Sequence, residues 1–424
     1  MKPITLGILG MGTVASGLVD VMTMNQEKIE KETNETFEIK KVLVRNLDKD
    51  RPEVLSKTTF TTDPYKVIND PNIDILVELI GGIYPAYDYV KSALQQQKHV
   101  VTANKALIAT HGKELESLAI DNGVRLMYEA SVGGGIPIIN TLSENLSGNR
   151  IESISGVING TTNYVLTQMT ERGLSFDEAV KEAQDLGFAE ADPSSDVEGD
   201  DAAYKIAILT RVAYGQWIEA DQIIKEGITK ISKEDIKYAR ELGYVIKLLA
   251  SSQRQENQVS LSVHPTLIPV DHPLATVKNE FNAVLLKGNA TGEVMLYGKG
   301  AGALPTGSAV LSDIMAISKK KEDPVRSYTT DAEPLVMAHE SKNQYYIRLN
   351  VVDKPGVLGY IANIFGEHHV SLASVVQRQK SGDIAPLVFI TYETEKKQID
   401  QVLEKIAQDE NVLGVASVLT VENL

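Results

Sequence analysis

A glycine-rich loop directly after a short apolar strand constrains the fold of this chain more than any other feature. Residues 3–10 have the sequence PITLGILG, and Gly12 and Ala15 follow before a run with helical character. In such a strand–loop–helix unit, Gly10 permits a tight turn and Gly12 lets backbone N–H groups approach a pyrophosphate. The positive end of the helix dipole then faces the phosphates. The pattern predicts a dinucleotide site; the alternative is a tight turn that binds nothing.

Apolar strands alternate with helical segments throughout residues 1–130. The strand at residues 73–82, IDILVELIGG, is almost entirely apolar, as expected for a parallel sheet that is covered on both faces. This alternation predicts an α/β class, with a Rossmann-type doubly wound nucleotide-binding domain over residues 1–130. We expect a helix over residues 303–318 to complete that domain.

Two further domains are predicted beyond residue 130. Strand patterns separated by long helices over residues 131–302 predict an α+β domain for substrate binding, catalysis and dimerisation. Residues 319–339 are charged and contain two prolines, so we interpret them as a linker. Over residues 340–424, the order strand–helix–strand–strand–helix–strand predicts a ferredoxin-like βαββαβ regulatory unit.

The composition excludes several classes of function. The formal net charge of −15 argues against a nucleic-acid partner, because phosphate binding needs basic patches. No apolar run approaches the roughly 20 residues that cross a bilayer, so we expect no membrane association. The N-terminus lacks the features of a secretion signal, which predicts a cytoplasmic protein. The sequence has no cysteine, which rules out disulfides, thiolate metal sites and a cysteine nucleophile.

The stretch from Gly187 to Lys205, GFAEADPSSDVEGDDAAYK, concentrates carboxylates beside one lysine. Asp192-Pro193 predicts a loop in its first half, whereas its second half has helical character. In that helix Asp201 and Lys205 are four residues apart and share a face. The carboxylates can bind an amino group and the lysine can move a proton; the alternative is a surface ion pair. A calcium loop is disfavoured, because the glycine falls at position eight and no bidentate glutamate follows.

Two further basic residues lie where a sheet of this type binds its ligands. Lys105 follows the apolar strand end VVTANK, and ligands bind beyond the carboxyl ends of such strands. A lysine there can orient a substrate or donate a proton, although a surface lysine is the simpler alternative. The second strand ends at Arg45 instead of an acidic residue, which favours the 2′-phosphate of NADP and leaves NAD open.

Six motifs along residues 1–318 resemble those of the homoserine dehydrogenase family and occur in the family's order. They are GILGMGTVASG, VVTANKAL, EASVGGGIPII, GVINGTTNYVL, the acidic stretch described above and YGKGAGALPTGSAVLSD. The tail motif VVDKPGVLGYIANIF resembles an ACT regulatory domain, so the resemblance covers nearly the whole chain. The combination of motifs is highly specific, whereas GMGTVA alone is not.

The resemblance implies an NAD(P)-dependent oxidoreductase that interconverts L-homoserine and L-aspartate 4-semialdehyde in threonine, methionine and isoleucine biosynthesis. By this resemblance, Lys205 donates a proton to the substrate oxygen and accepts one from it, and Lys105 assists or orients. It implies that the residues that bind the substrate are Glu190, Asp196 and Asp201. It implies that the residues that contact NADP or NAD are Gly10, Gly12, Thr13, Val14, Arg45, Lys105, Gly187 and Gly302. It also implies a sodium site, formed largely by backbone oxygens, at Glu129, Val132, Gly134 and Ile136.

The chain departs from the family pattern at two positions. Ala15 stands where the family often has glycine, which should cost little. Asp200 stands where the family often has an apolar residue, so that two adjacent aspartates become candidates for the substrate site. We choose Asp201, because its spacing from Lys205 places both on one helix face.

The resemblance of the tail also implies partners. An ACT domain implies a small amino acid as effector, with L-threonine as the natural candidate, and pairing of subunits into a homodimer or homotetramer. A tail that only forms oligomers is the alternative. A dehydrogenase that deaminates another amino acid and a non-catalytic dinucleotide sensor are the competing functions. Aspartate-semialdehyde dehydrogenase is excluded, since it needs a cysteine nucleophile.

Overall fold

A computed structural model of the chain describes residues 3–320, 328, 334–338, 342–377 and 384–422. Within these ranges the strands are β1 (Ile4–Leu9), β2 (Phe37–Leu43), β3 (Thr59–Thr61), β4 (Ile75–Glu78), β5 (His99–Thr102), β6 (Leu126–Met127), β7 (Ile151–Val157), β8 (Ile224–Lys225), β9 (Tyr244–Gln255), β10 (Gln258–Pro269), β11 (Phe281–Gly288), β12 (Gly292–Lys299), β13 (Val336–Met337), β14 (Lys342–Val352), β15 (Leu372–Gln377), β16 (Ile384–Thr391), β17 (Thr394–Glu395) and β18 (Val412–Val421). The α-helices are α1 (Thr13–Met24), α2 (Gln26–Thr33), α3 (Tyr65–Ile68), α4 (Ala86–Gln95), α5 (Lys105–Asp121), α6 (Ile138–Asn140), α7 (Gly160–Arg172), α8 (Phe176–Asp185), α9 (Ser194–Val197), α10 (Asp200–Tyr214), α11 (Lys233–Glu241), α12 (Ala303–Lys319), α13 (Val357–Glu367) and α14 (Lys396–Ile406).

The chain divides into two compact units. The first contains the described residues of Met1–Ile154, Ala203–Ile223 and Phe281–Leu335, and the second those of Ser155–Ala202, Ile224–Glu280 and Val336–Leu424. Helix α10 begins in the second unit and continues in the first. The domain boundaries proposed from the sequence stay a prediction. Part of the predicted linker, including residues 321–327, lies outside the described residues.

The first unit is built on a six-stranded parallel sheet in the order β3-β2-β1-β4-β5-β6. This is the strand order of a dinucleotide-binding Rossmann fold, and it confirms the predicted fold class. Strands β1 and β4 are buried along their whole length, because helices cover both faces of the sheet. The chain order reverses between β1 and β4, which places a ligand-binding crevice beyond their carboxyl ends.

Helix α12 packs closely against α1, as expected for a helix that completes this unit. A β-carbon at Gly17 would lie only 1.9 Å from the carbonyl oxygen of Ala303, and one at Gly307 would lie 2.5 Å from the backbone of Gly17. Glycine at both positions lets the two helix backbones touch. Residues of α12 such as Val310 and Ile314 join the core cluster that also contains Leu6.

The second unit contains the predicted βαββαβ tail, which is formed by β14, α13, β15, β16, α14 and β18. The four strands lie in the order β18-β14-β16-β15, and each neighbouring pair is antiparallel. Helices α13 and α14 bury Ile361, Phe365 and Val402 in its core cluster. Strand β18 also pairs in parallel with β10 through Thr266 and Leu267, so the sheet of the tail continues into β10 and β9.

A buried ion pair joins the first strand of the tail to helix α11. The guanidinium of Arg348 donates to both carboxylate oxygens of Asp235, at 2.8 and 3.2 Å, and the Asp235 side chain has no exposed area. The hydroxyl of Tyr346 donates to the same carboxylate at 3.2 Å, and Ser232, the N-cap of α11, donates at 2.7 Å. Four donors therefore offset the cost of burying the carboxylate.

Sequence patterns missed one long strand. Strand β9 pairs with β10 along twelve residues, yet its sequence YVIKLLASSQRQ has no clear alternation. Its central residues are buried on both faces, including Leu248 and Leu249, which explains the missing period of two.

Among the described residues, no helix combines the length and apolar character needed to cross a membrane.

Candidate active site

The glycine loop joins β1 to α1 at the carboxyl edge of the parallel sheet. Gly10 has φ +98°, a left-handed conformation that other residues adopt only with strain. Gly12 is the N-cap of α1 and offers no side-chain cap, and a β-carbon there would meet no heavy atom within 4 Å. The exposed residues Gly12 and Thr13 therefore present open backbone at a helix N-terminus, which fits the pyrophosphate of a dinucleotide. Val14 follows them in the first turn.

Arg45 lies two residues beyond the end of β2 and is exposed. Val44, between them, is buried and donates its N–H to the carbonyl of Thr61. This anchor fixes the backbone directly before Arg45. The side chain is placed where Rossmann enzymes contact the adenosine ribose.

Lys105 is the first residue of α5 and is half-buried. Asn104 caps this helix through its side-chain oxygen, which accepts from the N–H of Leu107 at 3.1 Å. The amide nitrogen of Asn104 donates to the carbonyl of Gly82 at 2.6 Å. The cap thus fixes the start of α5, and with it Lys105, at the carboxyl edge of the sheet, as predicted from the sequence.

A buried carboxylate that sequence analysis did not identify supports the same edge. The Glu78 side chain, at the end of β4, accepts from two backbone N–H groups at 2.8 and 3.2 Å and from the Thr102 hydroxyl at 2.6 Å. Burial raises the pKa of Glu78, although these donors act in the opposite direction. The Thr102 hydroxyl in turn accepts from the N–H of Asn104 at 3.0 Å. The network therefore leads from Glu78 to the residue directly before Lys105.

Lys205 lies on α10 and is only 8% exposed. The side chains next to it in sequence include Ala203 and Ile206, both buried. A surface lysine, the simplest alternative for this residue, does not agree with that burial.

A buried ion pair connects the helices that carry the two lysines. Arg211 of α10 donates to Glu116 of α5 at 2.9 Å, and their side chains are only 4% and 6% exposed. Tyr128 donates its hydroxyl to the other oxygen of Glu116, and Arg211 also donates to the carbonyl of Gly215. The Arg211 guanidinium lies 5.2 Å from the ring centroid of Trp217. These contacts fix the relative positions of α5 and α10.

Two of the predicted substrate carboxylates are held together in the second unit by one side chain that sequence analysis missed. The amide nitrogen of Asn159 donates to Asp196 at 2.7 Å and to Asp201 at 2.8 Å. The two oxygens are therefore at most about 5.5 Å apart, the sum of these two bonds. At an effective dielectric of about 20, their repulsion is on the order of 3 kcal/mol. The shared amide offsets part of that repulsion.

The adjacent aspartates of the acidic stretch have different environments. Asp201 is 2% exposed, whereas the side chain of Asp200 is 40% exposed and pairs with Lys225. This difference supports the choice of Asp201 over Asp200. The first half of the stretch is a loop interrupted by the single-turn helix α9.

Glu190 and Gly187 lie in the loop after α8, and both are exposed. Gly187 has φ +77°, and its N–H donates to Gln184 while that of Phe188 donates to Ala183. This is the Schellman arrangement that ends many helices. It explains why glycine stands at position 187 without any contact with a cofactor.

The predicted sodium loop lies in the first unit around a buried carboxylate. Glu129 accepts from the N–H groups of Ile139 and Asn140, at 2.9 and 2.7 Å, and burial raises its pKa to about 7. Its own N–H donates to Asp313, and burial together with the neighbouring Glu129 charge raises the pKa of Asp313. Both carboxyl groups lie in a desolvated region that a cation would stabilise.

The backbone near Glu129 is buried and closely packed. Val132, Gly134 and Ile136 are buried, and Gly134 has φ +54°. A β-carbon at Gly134 would lie 2.5 Å from the backbone of Gly300, so only glycine allows this approach. In the described part of the chain, no three carboxylate or imidazole side chains gather into a metal cluster. A buried carboxylate combined with carbonyl oxygens is a donor set that suits hard cations.

Gly302, the last of the predicted cofactor residues, is the N-cap of α12 and has φ +121°. It follows a loop in which a β-carbon at Gly300 would collide with the side chain of Asn282, at 1.9 Å. Both polar atoms of Asn282 are buried and, among the described residues, lack a hydrogen-bond partner. Sequence analysis did not identify Asn282, because a single asparagine in a strand has no distinguishing pattern.

Comparisons with known proteins agree with this architecture. Residues 10–129 match the family "Homoserine dehydrogenase, NAD binding domain", residues 137–315 match "Homoserine dehydrogenase", and residues 345–411 match "ACT domain". The chain is 42% identical to the homoserine dehydrogenase of Bacillus subtilis (strain 168), covering 100% of this chain and 99% of that protein.

Solved structures lead to the same family. A homoserine dehydrogenase from Thiobacillus denitrificans superimposes with a TM-score of 0.94 at 40% identity, covering 100% of this chain and 99% of that one. A hyperthermophilic archaeal homoserine dehydrogenase in complex with NADPH superimposes with a TM-score of 0.64 at 30% identity, covering 77% of this chain and all of that one. The family predicted from the motifs is confirmed, and the chain belongs to the homoserine dehydrogenases, oxidoreductases with an NAD-binding domain, that carry a C-terminal ACT domain.

Proposed function

We propose that this chain interconverts L-homoserine and L-aspartate 4-semialdehyde, with NADP as the preferred cofactor and NAD as the alternative. The observation that carries this proposal is the pair Asp196 and Asp201, joined by one amide, with Asp201 one helical turn before the buried Lys205. An anionic pair suits the ammonium group of an amino acid. Lys205, one helical turn further along, is suited to exchange a proton with the hydroxyl group at the other end of the substrate's short side chain.

In the oxidation direction, the hydroxyl proton of homoserine passes to the neutral amine of Lys205 as the aldehyde forms. When bound, the cofactor would supply hydride transfer from the carbon that bears this hydroxyl. Lys105 orients the hydroxyl oxygen and stabilises its developing negative charge. Glu190, Asp196 and Asp201 bind the substrate, the last two through its ammonium group. In reduction, Lys205 returns the proton to the aldehyde oxygen.

The cofactor is held by the glycine loop and by residues around it. Backbone N–H groups at Gly12, Thr13 and Val14 would contact the pyrophosphate. Gly10, whose own N–H donates to the carbonyl of Leu43 at 3.1 Å, would provide the tight turn beside it. Lys105, Gly187 and Gly302 are the further cofactor contacts in this proposal. Arg45 binds the 2′-phosphate, which its exposed position after β2 supports.

Changing Arg45 to aspartate should reverse the preference between the two cofactors. Removing a charge-assisted contact and adding a carboxylate for the ribose hydroxyl should lower the ratio of kcat/KM for NADP over NAD by about 10–100-fold. Initial rates with each cofactor measure this ratio. The matched control is Lys49→Asp, which removes another exposed cation after the same strand and should leave the ratio unchanged. An unchanged ratio in Arg45→Asp would remove Arg45 from the cofactor site.

We further propose a sodium ion at Glu129, Val132, Gly134 and Ile136. The buried carboxylate of Glu129 and the left-handed turn at Gly134 support it. The cation would fix the loop between β6 and α6 and would not take part in the reaction. We also propose a homodimer or homotetramer in the cytoplasm, where free amino acids and nicotinamide cofactors are available, with a role in threonine, methionine and isoleucine biosynthesis.

L-Threonine is the proposed effector, and it should lower the rate of homoserine oxidation by acting on the ACT domain. The βαββαβ tail is coupled to β10 and α11 in the second unit, which also contains the proposed substrate-binding carboxylates Asp196 and Asp201. Initial rates in the presence of L-threonine test this, with D-threonine as the control of equal composition. Equal rates with and without millimolar L-threonine would contradict the assignment.

The reaction itself is tested by absorbance at 340 nm, with purified protein and L-homoserine at alkaline pH. Oxidation releases a proton, so alkaline pH favours it. Formation of reduced cofactor that depends on homoserine is the expected result, faster with NADP than with NAD. If only another amino acid supports reduction and ammonia is released, the chain is a deaminating dehydrogenase. If cofactor binds but no substrate supports reduction, it is a sensor.

A further inference from the structure

Asn159 has a chemically determined orientation at the centre of the acidic cluster. Its side-chain oxygen accepts from the N–H of Thr162 at 2.8 Å and from the hydroxyl of the same residue at 2.9 Å. Its amide nitrogen faces the carboxylates of Asp196 and Asp201. Since carboxylates need donors and an N–H needs an acceptor, exchanging oxygen and nitrogen would break the contacts with both carboxylates and with the Thr162 N–H.

The neighbouring residue completes the support of this pair. The hydroxyl of Thr161 contacts the second oxygen of Asp196 at 3.1 Å and the carbonyl of Phe188 at 2.7 Å. Asn159 itself is 4% exposed, and Asp201 is 2% exposed. The junction of β7 and α7 therefore positions carboxylates that are 37 and 42 residues away in the sequence.

We propose that Asn159 is a positioning residue, which keeps Asp196 and Asp201 together and ionised as a receptor for the ammonium group of the substrate. This inference rests on the proposed function. The amide donates to one oxygen of each aspartate, so it lowers the repulsion between two nearby anions without adding charge. Without it, the two carboxylates separate or share a proton, and either change weakens their attraction for a cation. Asn159 itself does not touch the reacting atoms.

Asn159 also caps α7, so the test must separate capping from positioning. Aspartate and serine are both good N-cap residues. Asn159→Asp retains the cap but removes both N–H donors and adds a negative charge. Asn159→Ser retains the cap, is uncharged and offers at most one donor. The serine variant keeps the test decisive if the extra charge prevents folding of the aspartate variant.

We expect both variants to raise the homoserine KM by at least tenfold and to bind NADPH with a dissociation constant within twofold of the wild type. We also expect KM to change by a larger factor than kcat, because Asn159 does not touch the reacting atoms. Steady-state rates between pH 6 and 10 and NADPH fluorescence titrations measure these quantities on the full chain.

Two outcomes are distinguishable. If the wild type oxidises homoserine and the folded serine variant keeps the wild-type KM, Asn159 only caps α7 and this inference is overturned. If the wild type does not oxidise homoserine with either cofactor, the proposed function fails and this inference fails with it.

Discussion

Replacing Lys205 with methionine should lower kcat for homoserine oxidation by roughly 10³-fold, the range typical of a lost general acid–base group. Homoserine KM should stay within about threefold, because the carboxylates that bind the ammonium group are unchanged. Methionine suits the test since it is unbranched and apolar and fills a buried site of similar length. Steady-state kinetics with saturating cofactor measure both constants.

Two further variants distinguish the effect of losing proton transfer from the effects of losing a positive charge or a buried lysine. Lys205→Arg keeps the positive charge, but arginine does not lose its proton in proteins, so it should not restore kcat. Lys98→Met is the matched control, because Lys98 is also a buried lysine of the first unit, 5% exposed, and donates to two backbone carbonyls. It should lose stability and keep kcat. A Lys205→Met enzyme with wild-type kcat would exclude Lys205 as the proton carrier.

The second large effect is expected from Arg211→Met, which should destabilise the protein by about 3–5 kcal/mol. The variant leaves the Glu116 carboxylate buried without the guanidinium that lies 2.9 Å from it. Glu116 lies eleven residues after Lys105 on α5, and Arg211 lies six residues after Lys205 on α10. The ion pair thus joins the two helices that carry the proposed catalytic lysines. Because its loss should loosen their packing, activity should fall at temperatures at which the variant is still mostly folded.

A double-mutant cycle tests whether the loss comes from the unpaired charge. Glu116→Met combined with Arg211→Met replaces both ions with apolar groups, which often costs little in a buried site. Thermal unfolding should rank the midpoints as wild type first, then the double variant, then Arg211→Met. A double variant as unstable as the sum of the two single changes would show that the ion pair is not coupled.

The fold could be predicted from the sequence wherever local patterns carry it. The glycine loop after β1, the apolar strands of the parallel sheet and the βαββαβ order of the tail each produce a short-range pattern with a physical cause. Strand β9 could not be predicted, because burial on both faces removes the alternation of polar and apolar residues.

The residues of the candidate site also fall into those that local patterns predict and those that they do not. Lys105 could be placed at a strand end and Lys205 on a helix, since both inferences need only neighbouring residues. Asn159 could not be linked to Asp201, because the contact spans 42 residues and the asparagine resembles an ordinary N-cap. The pairing of Glu116 with Arg211 spans 95 residues and produces no local pattern either. These supporting residues become visible only when distant segments are brought together.

The ion pair between Asp235 and Arg348 has a consequence for how such a chain can be recombined. The two residues are 113 positions apart, one on α11 and the other on the first strand of the tail. A graft that exchanges this tail for another, or a gene that ends before it, would leave the fully buried Asp235 carboxylate without its cation. A chimera must therefore carry both the tail and Asp235, or replace Asp235 with an uncharged residue.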